Sequence, residues 1–210
     1  MAKKNFVNRL LSNTRKPEGF LGRLMLRGMN TGHAGLAKWG MSCLKWQLHW
    51  TVLDIGCGGG ANLAQILRYC PLGKAYGVDL SPESVAFAKK KNRKELEVNC
   101  FVEQGSADSL PYTDGVFDVV TAFETVYFWG DLDRAFTEVA RVLKPGGYFL
   151  LCNEMCDPAD TTWTDRIEGM VIRPAEELVV LLLQTGFTDI SQNSNKGHLC
   201  ITARKYPKKH

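Results

Sequence analysis

The feature that most limits how this chain can fold is an apolar run that ends in a cluster of glycines, Thr51-Val52-Leu53-Asp54-Ile55-Gly56-Cys57-Gly58-Gly59-Gly60-Ala61-Asn62. Val52, Leu53 and Ile55 read as a short buried strand, and the spacing of apolar residues after Ala61 reads as a helix. Between them, glycine permits a tight turn through positive φ and, lacking a Cβ, lets a ligand approach the backbone. Amides at the start of the next helix can then hold a polar or anionic group. The spacing from Gly56 to Ala61 also fits the G-x-G-x-x-G/A pattern of nicotinamide and flavin sites, so the glycines alone do not select a cofactor.

From Thr51 onward, short apolar runs alternate with helical patterns. This alternation predicts a Rossmann-like α/β fold, a seven-stranded, mostly parallel sheet with helices on both faces. Strands are expected at 51–55, 74–79, 98–103, 116–122, 148–153, 187–192 and 198–204, and helices at 61–69, 81–92, 131–143 and 174–184. Ser81 followed by Pro82 and Glu83 is a helix-start signal, and Lys144-Pro145-Gly146 is a stop. Two amphipathic helices, 20–29 and 35–46, are expected ahead of the sheet. Their polar break, Met29-Asn30-Thr31-Gly32-His33-Ala34-Gly35, suits a lid. The expected division is a helical extension or lid over 1–50 and a cofactor domain over 51–210, since 210 residues suit one α/β domain and leave no room for a second catalytic one.

Charge and cysteine usage exclude several classes. The net charge of +4 gathers at the ends, and such short basic runs read as solvated termini, so a nucleic-acid partner is not expected. The seven cysteines are odd in number, scattered and mostly within apolar segments, as reduced thiols are. No Cys or His pairs lie at zinc spacing, and Asp157, Asp160 and Asp165 suggest no coordinating arrangement, so no metal is expected. Charged residues interrupt every apolar run before it reaches membrane or signal length, and the expected location is the cytoplasm.

The neighbours of the glycine turn narrow the cofactor. Asp54 just before the turn makes D-x-G-x-G-x-G. An acid there would repel a pyrophosphate at short range. Downstream come Gly77-Val78-Asp79-Leu80-Ser81, Gln104-Gly105-Ser106-Ala107-Asp108-Ser109-Leu110-Pro111, Phe117-Asp118-Val119-Val120 and Arg141-Val142-Leu143-Lys144-Pro145-Gly146-Gly147. In this order the motifs resemble the class I S-adenosylmethionine (SAM)-dependent methyltransferases, near the branch that includes ubiquinone- and menaquinone-biosynthesis-type and other small-molecule enzymes. The resemblance covers roughly residues 51–153, about half the chain. It implies SAM as cofactor and S-adenosylhomocysteine as product. It also implies a cofactor site made of Asp54, Gly56, Cys57, Gly58, Asp79, Leu80, Ala107, Asp108 and Phe123. Asp79 would bind the ribose hydroxyls, Leu80 would pack on the adenine, and Asp108 would accept from its amino group.

A sulfonium methyl is already activated, so its transfer asks mainly for positioning, and a base helps only if the acceptor must lose a proton. Glu124, with Tyr127, Phe128 and Trp129 beyond it, follows the fourth strand at the carboxyl edge where open α/β sheets bind ligands. Glu124 and His33 are the catalytic candidates, and Glu124, Tyr127 and Trp129 the candidates for the acceptor pocket. Trp163, Met170 and Arg173 could close its other side. A small-molecule acceptor is the expected partner. An RNA or protein methyltransferase and a non-catalytic SAM-binding module are the alternatives, and Asp54, Asp108 and the Leu-Lys-Pro-Gly-Gly corner speak against an NAD enzyme.

Overall fold

A computed structural model describes residues 33–207. The expected helix at 20–29 and most of the polar break after it lie outside these residues. The described chain begins with α1 (Ala34–Ser42) and continues through β1 (Thr51–Ile55), α2 (Ala61–Tyr69), β2 (Lys74–Asp79), α3 (Pro82–Lys91) and β3 (Cys100–Gln104). Then come β4 (Phe117–Phe123), a 3₁₀ turn (Val126–Phe128), α4 (Leu132–Val142), β5 (Leu143–Asn153), α5 (Ala175–Gln184), β6 (Phe187–Asn195) and β7 (His198–Lys205). The seven strands form one sheet in the order β3-β2-β1-β4-β5-β7-β6, parallel except for β7, which runs antiparallel to both of its neighbours.

Successive side chains of a strand face opposite sides of a sheet, and here both sides are buried. Val52, Val119 and Leu150 enter one core with Leu63, Ile66 and Met41, whereas Leu53, Val120 and Leu151 enter the other with Phe136, Phe149 and Leu178. α1 belongs to the first core. A Cβ on Gly40 would stand 2.7 Å from Cys152 Sγ and 2.9 Å from Phe123, so glycine allows the helix to lie directly on β4 and β5. Cys57, Cys70, Cys100, Cys152 and Cys200 are buried and free, and serve as packing residues.

Local bonding explains where boundaries depart from the expected ones. α1 stops at Ser42 because the Cys43 and Leu44 amides turn back to Gly40 and Met41 and the Trp46 indole donates to the Met41 carbonyl at 2.7 Å. Val98 is left out of β3 and 71% exposed, because the amides of Val98, Asn99 and Cys100 all close turns onto the Glu95 carbonyl. α3 begins as expected, with the Ser84 amide donating to the Ser81 hydroxyl and Pro82 in the first turn. Asp118 bonds the Thr51 amide and the Lys144 ammonium, each at 2.8 Å, and so ties the start of β1 to the α4–β5 corner.

The topology places the site. From β1 the chain winds outward to β3 and then returns to β4 on the other side of β1. The carboxyl ends of β1 and β4 are therefore a switch point, the crevice where open α/β sheets receive ligands. No described helix is long and apolar enough to cross a membrane.

Replacing Gly40 by valine should overpack the contact between α1 and the sheet and destabilise the protein by about 1–3 kcal/mol. Thermal unfolding of the variant checks this, and an unchanged Tm would mean that α1 is not seated on the sheet.

Candidate active site

The glycine turn is held by backbone bonds that only its conformation allows. Gly56, Gly58 and Gly60 have φ of +71, +51 and +71°. The Gly56 and Cys57 amides donate to the Val78 carbonyl at 2.8 and 3.1 Å, which fastens the turn to β2. A Cβ on Gly56 would meet Thr125 Oγ1 at 2.2 Å, so this glycine also lets the end of β1 pass the end of β4. Asp79 closes the arrangement. Its Oδ2 accepts from the Gly58 amide and its Oδ1 from the Ser81 amide, both at 2.9 Å. Burial raises its pKa against these two bonds.

A cavity of about 390 Å³ opens over this turn. Gly56, Cys57, Gly58, Asp79 and Leu80 line it on the side of β1 and β2, and Ala107 and Asp108 line it beyond β3. Phe123, Glu124 and Trp129 form the far side, with His33 at the start of α1. Asp79 is nearly buried yet faces the cavity, and each of its oxygens can accept a further bond. A glycine turn that admits close approach and an acid at the end of the second strand fit a ribose-bearing cofactor.

Two of the expected site residues stand behind the wall. Asp54 does not line the cavity. It is 1% exposed, and its Oδ1 accepts from the Thr121 hydroxyl of β4 at 2.7 Å. Tyr127 is also buried, and its hydroxyl donates to Glu124 Oε1 at 3.0 Å while accepting from the Met155 amide at 2.8 Å. Trp163 and Arg173 are not in the lining, and Met170 packs with Tyr127, Ile167 and Ile172.

The loop carrying Asp108 is positioned from α4. Arg134 Nε donates to the Asp108 carbonyl at 2.9 Å, and Glu138 accepts from the Leu110 amide at 2.8 Å. Arg141 grips Glu138 with two nitrogens and also donates to the Leu110 and Tyr112 carbonyls. Charge-assisted forked bonds of this kind are strong and geometrically selective.

At the far end, Glu124 leaves β4 with φ +57° and a side chain 10% exposed. Its Oε1 accepts from Tyr127 and from the Glu154 amide, and its Oε2 lies 3.7 Å from His33 Nδ1. Burial, with a smaller contribution from the neighbouring Glu154, pushes its pKa up to about 8. Glu154 Oε1 is 3.5 Å from the same His33 nitrogen. The sequence reading missed Glu154 and Thr125. Both follow the carboxyl ends of central strands, the rule that singled out Glu124, so the signal was present for them as well.

Open α/β topology, a glycine turn at the switch point and an acid at the end of β2 define a Rossmann-like architecture with a crevice of the kind that receives nucleoside-type cofactors. Residues 53–151, a little under half of the chain, match the family model described as a methyltransferase domain, in line with the motif resemblance to class I SAM-dependent methyltransferases. Over 100 residues the chain is 40% identical to the fatty-acid O-methyltransferase of Mycolicibacterium smegmatis, covering 47% of this chain and 35% of that protein. It is 36% identical over 111 residues to the demethylmenaquinone methyltransferase of Lactococcus lactis, covering 51% and 43%. The chain thus spans about two fifths of the length of these relatives. Human N-acetylserotonin methyltransferase, solved in complex with SAM, shares the fold with a TM-score of 0.72 at 18% identity, over 87% of this chain and 55% of that one.

Two outcomes are expected. Arg141→Ala should destabilise the protein by about 2 kcal/mol, a fall of roughly 4–8 °C in Tm, measured by thermal melting. Burial raises the Asp54 pKa from 3.8 to about 7. The folded state therefore holds this proton more tightly than the unfolded state, and stability is lost as pH climbs from about 4 through 7. Asp54→Asn should flatten that loss, and denaturant unfolding at pH 5 and pH 8 shows whether it does.

Proposed function

We propose that the chain binds SAM in this cavity and transfers its methyl group to a small-molecule acceptor that enters beside Glu124. The observation that carries the reading is the single cavity joining the glycine turn, Asp79 and Asp108 at one end to Glu124, Trp129 and His33 at the other. SAM supplies an activated sulfonium methyl. The chain supplies position, and holding two reactants in line can be worth about 7–11 kcal/mol.

In this reading Gly56, Cys57 and Gly58 give close backbone approach, and Asp79 uses its remaining lone pairs for the ribose diol. Leu80, 46% exposed at the cavity edge, covers the adenine with Ala107, and Asp108 accepts from the adenine amino group. Asp54 acts indirectly, fixing β1 to β4 through Thr121. Phe123 and Trp129 exclude water from the transfer, and Glu124 and His33 receive the polar end of the acceptor. The known acceptors of the relatives differ, so their shared domain supports the reaction and the cofactor without choosing the acceptor. Among the described residues the lining holds no Lys or Arg, and Glu124 lines the end beside His33 with Glu154 close behind it, which favours an acceptor bearing O–H or N–H over a carboxylate.

Calorimetry with SAM, S-adenosylhomocysteine and NAD is the first test. The expected result is saturable binding of the first two and none of NAD, and NAD binding alone would overturn the reading. Gly58→Val should abolish cofactor binding while the protein still melts cooperatively, because its side chain would occupy the approach to the turn.

A further inference from the structure

We propose that His33, Glu124 and Glu154 form a binding site for one divalent metal ion at the acceptor end of the cavity. The sequence gives no hint of it, since the three residues lie far apart along the chain and no metal is expected from their spacing. The fold brings together the start of α1, the end of β4 and the end of β5. One ligand atom from each residue lies within 4.8 Å of the others.

The bonding around the cluster is incomplete in a way that points to a ligand. His33 Nδ1 is buried and, among the described residues, has no hydrogen-bond partner, although carboxylate oxygens stand 3.5 and 3.7 Å away. Those separations are too long for good hydrogen bonds. Glu124 is nine-tenths buried, and among the described residues its Oε2 accepts no hydrogen bond, because both of its bonds go to Oε1. An ion bound at about 2.0–2.2 Å from each donor would bring adjacent donors to roughly 3 Å of one another, so closing the site asks only for rotamer-scale movement.

The surroundings have the character of a metal site. Tyr127 fixes Glu124 Oε1 and is itself fixed by the Met155 amide, which leaves Oε2 directed at His33. Such outer hydrogen bonds orient metal-bound carboxylates. One imidazole nitrogen and two carboxylate oxygens suit Mn²⁺, Fe²⁺ or Zn²⁺. The exposed acids Asp157, Asp160 and Asp165 make a useful contrast, since each accepts a bond from its own loop, from Ala159, Thr162 and Thr161 respectively.

The role assigned to the ion rests on the methyl-transfer reading, although its binding does not. It would hold the acceptor's hydroxyl oxygen and favour loss of that proton to water. The O–H bond breaks, the new bond to the methyl carbon forms, and the carbon–sulfur bond gives its electron pair to sulfur. The metal keeps its oxidation state.

The test is titration of the metal-stripped full chain with Mn²⁺ alone, following free Mn²⁺ by electron paramagnetic resonance, with S-adenosylhomocysteine binding measured in parallel. The wild type should take up one ion saturably. His33→Ala and Glu154→Gln, both at partly exposed side chains, should weaken uptake by about 10-fold or more while S-adenosylhomocysteine still binds, and Asp160→Asn should leave uptake unchanged. Absence of saturable uptake by the wild type, or uptake that neither His33→Ala nor Glu154→Gln weakens, overturns the proposal. Mn²⁺ uptake with the expected variant pattern but no S-adenosylhomocysteine binding would sustain the metal site and remove the methyl-transfer reading.

Discussion

The carboxylate of Asp79 is the interaction on which the site depends. One oxygen holds the Gly58 amide and the other the Ser81 amide, so a single side chain fixes the glycine turn to the end of β2 and to the start of α3. The turn is pinned again from the end of α3, where the Asn92 side-chain Nδ2 donates to the Gly60 carbonyl at 3.0 Å. A flexible glycine run becomes a held rim because the amides of Gly56, Cys57, Gly58 and Gly60 are all bonded. Gly60 itself has no room for a Cβ, which would stand 2.8 Å from the Ala88 Cβ.

The rest of the cavity is built from the opposite side of the sheet by a different kind of bond. α4 reaches through Arg134, Glu138 and Arg141 to the backbone of the 105–116 loop and holds Asp108 over the cavity. The Arg141 fork satisfies carbonyls that no strand partner could reach, which is why a loop without regular structure keeps one shape. Behind β1 and β4, Asp54 and Thr121 make the corresponding cross-strand link at paired register positions. The two central strands beneath the cavity are thus tied to each other by a side-chain bond as well as by their ladder.

The end of the cavity beside Glu124 is organised by an unusual backbone. Glu124 takes positive φ without being glycine, a conformation that costs energy unless its surroundings hold it. Tyr127, two positions into the next turn, and the amide of Glu154 supply that hold. The result is a buried carboxylate presented beside His33 and a second carboxylate. Like charges brought together at low exposure are costly unless a proton, a cation or a donor sits between them.

Much of this was legible in the sequence. Short apolar runs and the Ser81 and Lys144-Pro145-Gly146 signals marked out strands and helices, because those patterns reflect local sterics and burial on both faces. The motif order led to Gly56, Gly58, Asp79 and Asp108 and the strand-end rule to Glu124, and all five line the cavity because they lie at or just beyond strand ends on the carboxyl side of the sheet. What sequence could not decide is orientation across the sheet. Asp54 and Tyr127 point into packed interior rather than into the cavity, and Glu154 and His33 meet Glu124 only because β5 lies beside β4 and α1 lies across both. Strand alternation is a local property that a chain carries with it, whereas the meeting of residues 33, 124 and 154 depends on long-range packing that no spacing along the chain encodes.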